Sequence, residues 1–207
     1  MNLAAIVVGG YLIGSIPSAY LVVRWRAGID IRQAGSGNVG AFNVFDVTKS
    51  KRFGIIVGLL DALKGFVVTA TLGWILRTTF EIQAMGLLGA MIGHNYPVWL
   101  KFKGGRGLAT GAGGLFAVGL AYTVVWCLLW ACVYRYKKDI LLGNLAAILV
   151  TPLVLLLVPG PWIEWLFVVS CTVSSFRVFA FVLSALLFLS HWDAVMELKA
   201  KRRLGNE

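Results

Sequence analysis

The sequence predicts an all-α, polytopic integral membrane bundle of about seven transmembrane helices, with the N-terminus outside and the C-terminus cytoplasmic. Three observations carry this expectation. Of 207 residues, 59% are hydrophobic and only 14% charged, with a mean hydropathy of +0.83, too apolar for a soluble domain. The apolar residues form runs at about 3–23, 54–76, 82–100, 108–134, 143–158 and 162–190, and a spanning helix needs roughly 20 residues. All but Lys64, Arg77 and Arg177 of the 19 basic residues fall in four clusters between or after these runs, which the positive-inside rule gathers in the cytoplasm.

So many crossings leave no residues for a separate soluble part, and residues 1–207 are expected to form a single transmembrane domain. The net charge of +10 is explained by the same clusters rather than by nucleic acid. The first run, about 3–23, lacks a basic flank and a small-residue cleavage site and reads as a retained span. Runs 54–76 and 82–100 form an even pair that returns the chain to its starting side. Run 108–134, taken as one helix, would place two basic clusters outside, so it divides near Gly119 into two short spans, about 108–119 and 121–135. Runs 143–158 and 162–190 form a second even pair. The last is long and contains Glu164 and Arg177, which fits either a tilted helix or an interfacial piece before a short span.

Spacings Gly10/Gly14, Gly54/Gly58 and Gly89/Gly93 are those of closely packed membrane helices. Cys127, Cys132 and Cys171 lie in apolar stretches and read as small core residues. His94 and His191 have no neighbouring Cys, His or Asp at metal-ligand spacing, so no metal is expected.

Two glycine-rich segments carry the chemistry. Gly35-Ser36-Gly37-Asn38-Val39-Gly40 is literally GxGxxG, but a membrane span precedes it and no parallel sheet can form, which excludes a dinucleotide fold. Its glycines still let backbone N–H groups approach an anion, and Ser36 and Asn38 add donors. The alternative is a tight turn between helices. Lys103-Gly104-Gly105-Arg106-Gly107, with Lys101 just before it, sits at an expected helix N-terminus and makes a strong anion site, the alternative being a plain positive-inside loop. No P-loop and no Gly-x-Ser-x-Gly elbow occurs.

Asp61 and Lys64, at i and i+3 on one helix face, are costly in a membrane and serve either as a structural ion pair or as substrate contacts. His94, in Gly93-His94-Asn95-Tyr96-Pro97, is set near a helix end by the proline, as a packing residue or as a substrate-positioning one.

Residues 35–44, Asp61-Ala62-Leu63-Lys64-Gly65-Phe66 and residues 93–107 resemble, in order and spacing, the bacterial acyl-phosphate:glycerol-3-phosphate acyltransferases. The resemblance runs over about residues 8–150 and implies a multi-pass enzyme of the bacterial cytoplasmic (inner) membrane. Its active site would face the cytoplasm, with no cofactor and no obligate protein partner, and with acyl phosphate as donor and glycerol 3-phosphate as acceptor. By position it implies Ser36, Asn38, His94 and Arg106 as catalytic residues. It implies Gly35, Gly37, Gly40, Asn43, Lys64, Lys103, Gly104, Gly105, Gly107, Asn144 and His191 as substrate-binding residues. An acyl phosphate is a mixed anhydride with a good leaving group, so orientation and charge stabilisation suffice for direct transfer.

The chain departs from that family at several places. Asp46 stands where the family has arginine, and Arg106 where it has lysine. Asn144-Leu145-Ala146-Ala147 and His191-Trp192-Asp193-Ala194 replace its third and last motifs. These changes gather on what the family uses for glycerol 3-phosphate, which raises a different acceptor as one alternative and a non-catalytic anion transporter or scaffold as another. Against the transporter, no inverted repeat is visible.

Overall fold

The computed structural model describes residues 2–196, and the basic tail cluster Lys199, Lys201, Arg202 and Arg203 lies outside them. Among the described residues the regular structure is helical, with a lone bridge between Gly119 and Phe167. Four apolar helical segments are long enough to cross a membrane: Leu3–Ala27, Lys51–Ile75, Ile140–Leu157 and Val173–Ser190.

Local chemistry sets the helix ends. The Asn2 side chain accepts the Ala4 N–H at 3.0 Å and starts α1, Leu3–Gly14. Pro17 has no N–H and pushes Ile16 out of the helical region, so the run expected as one span is two helices, α2 (Ser18–Ala27) following the break. Gly28, left-handed at φ 69°, ends α2. An eight-residue helix not expected from the sequence, α3 (Ala41–Thr48), follows the first glycine loop. The Ser50 hydroxyl caps α4, Lys51–Ala70, which widens into a π turn over Thr71–Ile75. Helix α5, Phe80–Asn95, stops before Pro97, and α6, Leu108–Val118, begins directly after the second glycine loop.

The chain forms two compact units. The first is Met1–Leu120 with Phe167–Cys171. In it α1 packs on α5 almost backbone to backbone: a Cβ on Gly14 would collide with Ala90, one on Gly89 with Val7, and one on Gly93 with Tyr11. Helices α4 and α6 do the same through Gly65 and Gly113, and Gly54 and Gly58 seat α3 on α4. Lipid is as apolar as the side chains, so close approach of small residues supplies the packing that burial supplies in water. An apolar cluster that includes Val23, Ile31, Val44, Val57 and Leu100 lies beneath the glycine loops. At the end of α6, the Val118 carbonyl accepts the N–H groups of Val168 (3.0 Å) and Val169 (3.2 Å).

The second unit comprises Ala121–Leu166 and the chain from Thr172 on. Helices α7 (Ala121–Lys137) and α6 are separated at Gly119, at the division the sequence predicts. Asp139 caps α8, Ile140–Leu157, accepting Leu141 and Leu142 N–H at 2.8 and 3.0 Å. The 162–190 run resolves into a five-residue helix, α9 (Gly160–Glu164), an irregular stretch, and α10, Val173–Ser190. Arg177 on α10 donates to the carbonyls of Leu155 (2.9 Å) and Val158 (2.8 Å), satisfying the end of α8. Cys127 and Cys132 are exposed on α7 rather than in a core, because the inward positions of α7 are taken by Tyr122 and by the Trp126, Trp130 and Tyr134 stack.

Candidate active site

The first glycine loop is built from within. Gly35 (φ 59°) and Gly37 (φ 72°) are left-handed, which turns the chain back over the start of α3. From α3, buried Asn43 accepts the Ser36 N–H through Oδ1 at 3.0 Å. Its Nδ2 donates to the carbonyls of Ala34 (3.1 Å) and Asn38 (2.9 Å). Asn43, expected as a substrate ligand, therefore holds the loop, while Ser36 is exposed and Asn38 half-buried. Before the loop, Asp30 accepts from Arg32 Nε at 2.9 Å and from its terminal nitrogen at 2.6 Å, and this guanidinium draws the Asp30 carboxyl down to about 2.

The second element is an ammonium with every proton placed. Lys64 Nζ lies 2.8 Å from Asp61 Oδ1, 3.1 Å from His94 Nδ1 and 2.9 Å from the Ile16 carbonyl, and Asp61, Lys64 and His94 are all buried. An ammonium only donates, so His94 Nδ1 accepts and the ring proton is on Nε2. Lys64, expected to bind substrate, thus spends its three N–H bonds on protein and acts by orienting the imidazole. The two readings of Asp61 and Lys64 resolve geometrically to an ion pair, extended to the histidine. The Ile16 carbonyl is available to Lys64 because Pro17 breaks the first span there.

The second glycine loop folds over this histidine. A Cβ on Gly105 would overlap the imidazole at Nε2, one on Gly104 would strike the His94 carbonyl, and Gly107, left-handed at φ 80°, covers Asn95. Gly105 N–H donates to the His94 carbonyl at 3.1 Å, and Val39 N–H donates to the Gly104 carbonyl at 3.2 Å, tying the two glycine loops together. A cavity of about 10 Å³, room for roughly one water, lies among Ser15, Ile16, Asp61, Lys64, His94 and Gly104.

The first unit thus brings together Ser36, Asn38, Asn43, Lys64, His94 and the 103–107 segment. Arg106 is half-buried between Gly105 and Gly107, and Lys103 is exposed. Asn144 and His191 belong to the second unit: Asn144 is half-buried on α8, and His191 is buried at the end of α10 with Nδ1 2.7 Å from the Leu187 carbonyl. The Ile16 carbonyl is a backbone atom that residue identity does not reveal, and its only signal in the sequence is Pro17. Backbone N–H groups, a serine hydroxyl and nearby cations make the joined loops suited to an anion, with a neutral imidazole donor fixed beside them.

Comparisons with known proteins bear on the family and the fold. The profile of the family described as glycerol-3-phosphate acyltransferase matches residues 4–201. Glycerol-3-phosphate acyltransferase 2 of Thermotoga maritima is 37% identical over 172 residues, covering 81% of this chain and 85% of that protein. The Moorella thermoacetica protein of the same description is 42% identical over 163 residues, covering 78% and 81%. Among solved structures, PlsY (YgiH), an integral membrane glycerol 3-phosphate acyltransferase in its glycerol 3-phosphate form, superposes with a TM-score of 0.77 at 29% identity. That match covers 97% of this chain and 93% of that one. Its lysophosphatidic acid form gives a TM-score of 0.76.

Proposed function

Since the chain belongs to the glycerol-3-phosphate acyltransferase family, we propose that it moves a fatty acyl group from acyl phosphate to the 1-hydroxyl of glycerol 3-phosphate, giving lysophosphatidic acid for phospholipid synthesis. The observation that carries this is the His94 imidazole, oriented by Lys64 and Asp61 and covered by the Gly104–Gly105 segment that is itself bonded to the serine loop. The glycine segment and Arg106 hold the acyl phosphate, and Ser36 and Asn38 face the acceptor. His94 Nε2–H donates and cannot take a proton while Nδ1 is held by Lys64, so it serves orientation and charge stabilisation.

In the transfer, the acceptor O1 forms a bond to the acyl carbon and the carbon–oxygen bond to the donor phosphate breaks. The departing phosphate takes the hydroxyl proton. No acyl-enzyme forms. The active site faces the cytoplasm of a bacterium, at the inner membrane, where the basic loops lie. Lys103 belongs to the substrate site.

Purified protein incubated with palmitoyl phosphate tests the proposal. Phosphate release that depends on glycerol 3-phosphate, with lysophosphatidic acid formed, is the expected result. Release only with another sugar phosphate or with a polyol means a changed acceptor; Asp46 favours one without a phosphate, because a carboxylate repels a phosphate. No release with any acceptor refutes the proposal.

A further inference from the structure

A second cationic site lies beside the glycine loops. Arg32, Gln33, Lys101 and Lys103 surround an open cleft of about 320 Å³ floored by buried Leu100. Leu100 also lines the small cavity at Lys64 and His94, so one side chain separates the two hollows. Asp30 occupies one edge of the Arg32 guanidinium, and the other terminal nitrogen has no protein hydrogen bond among the described residues. Lys101 and Lys103 have no carboxylate partner there either.

The backbone under the lysines is held in an uncommon conformation. Lys101 (φ 54°) and Phe102 (φ 61°) are consecutive non-glycine residues in the left-handed region, each at a cost that surrounding structure must maintain. Phe102 N–H donates to the Pro97 carbonyl at 3.0 Å and Lys103 N–H to that of Leu100 at 3.2 Å, which fixes the turn. Two lysines without a carboxylate partner on a fixed turn, beside the open edge of the Asp30-paired Arg32 guanidinium, select a compact dianion. Asp46, by contrast, is closed off by Lys49 at 2.7 Å and offers a phosphate nothing.

We infer that this cleft binds a phosphomonoester dianion, the phosphate of the glycerol 3-phosphate acceptor, with Arg32, Lys101 and Lys103 supplying the cationic contact that position 46 lacks. The inference rests on the acyl-transfer reading for the identity of its ligand. Its volume suits a small polar molecule rather than an acyl chain. Binding there places the glycerol carbons toward Leu100 and the His94 cavity. The same chemistry could come from the headgroup of phosphatidate in the bilayer.

The test compares the full chain with Lys101→Gln/Lys103→Gln and Lys101→Arg/Lys103→Arg, all in phosphatidylcholine nanodiscs. Glycerol 3-phosphate binding is measured by calorimetry without donor, and KM is measured for each substrate. Loss of two charge-assisted contacts should raise Kd and KM for glycerol 3-phosphate roughly 10- to 100-fold, leave the palmitoyl phosphate KM within about twofold, and be reversed by arginine. Unchanged glycerol 3-phosphate binding in the glutamine variant overturns the cleft, even if acyl transfer itself is intact. Binding that is lost in the variant supports the cleft, even if the wild type turns over no palmitoyl phosphate. A raised KM for palmitoyl phosphate alone overturns the acceptor assignment, as does an Asp46→Arg variant that lowers the glycerol 3-phosphate KM tenfold while the lysine variants do nothing. Adding phosphatidate to the discs distinguishes the sources: abolition of glycerol 3-phosphate binding gives the cleft to the lipid headgroup and overturns the assignment, and undisturbed binding supports it.

Discussion

Replacing Lys64 by methionine keeps an unbranched side chain of similar reach and removes the ammonium. Three buried acceptors then lose their donor: Asp61 Oδ1 at 2.8 Å, His94 Nδ1 at 3.1 Å and the Ile16 carbonyl at 2.9 Å. Stranding one member of a buried ion pair costs about 3–5 kcal/mol. At roughly 2–4 °C per kcal/mol for a chain of this size, the apparent Tm in detergent should fall by about 6–20 °C, followed through tryptophan fluorescence. Adding Asp61→Asn removes the stranded charge, and the double variant should recover about half of that loss. Activity should not recover, because the imidazole has lost the group that fixes its tautomer and orientation. A Lys64→Met protein that melts within about 2 °C of the wild type, or a double variant no more stable than the single, refutes the argument.

Gly105→Ala places a methyl group against the His94 ring, and kcat should fall about 100-fold as the imidazole is displaced; an unchanged kcat shows that the ring position is immaterial. Asn43→Ala removes the acceptor of the Ser36 N–H, and amide exchange at residues 34–40 should quicken by roughly 10- to 100-fold, with no change there if the loop is held otherwise. The Asp30 carboxyl, depressed from 3.8 to about 2, keeps its Arg32 pair as pH falls through 4 and loses it only as pH falls through about 2. A carboxyl resonance of Asp30 that titrates near 3.8 contradicts the pairing. Arg177→Met leaves the Leu155 and Val158 carbonyls without their donor and should lower the Tm by about 2–8 °C, with transfer kinetics at lower temperature unaffected.

Hydropathy and charge placement were enough to read the helical membrane architecture, and Gly119 was enough to divide α6 from α7. The break at Ser15–Pro17 was hidden inside a uniformly apolar run, since a proline there is equally at home in the first turn of a helix. Helix α3 was hidden for the opposite reason: eight residues next to a glycine loop are too few for a periodic pattern to stand out. At the site, Asp61 and Lys64 could be paired from their spacing alone. That His94 joins them depends on how α4 lies against α5, which is fixed by glycines whose partners lie on other helices. The partner from Ile16 is a backbone atom, to which residue identity gives no clue. Asn43 had the right residue type for substrate binding, and only coordinates reveal that both ends of its amide are occupied.

The Ile16 carbonyl that Lys64 uses lies 48 residues earlier in the chain, whereas its histidine partner lies 30 residues later. Helix α4 carries a lysine and an aspartate into the bilayer, where charged side chains are expensive. Pro17, which opens the Ile16 carbonyl, precedes α4 in the chain. Synthesis runs from the N-terminus, so the acceptor at Ile16 is made before Lys64 and the imidazole of His94 after it. The kink in the first span thus gives a helix with two charges one hydrogen-bond acceptor from chain made earlier, ahead of the segment that completes the set.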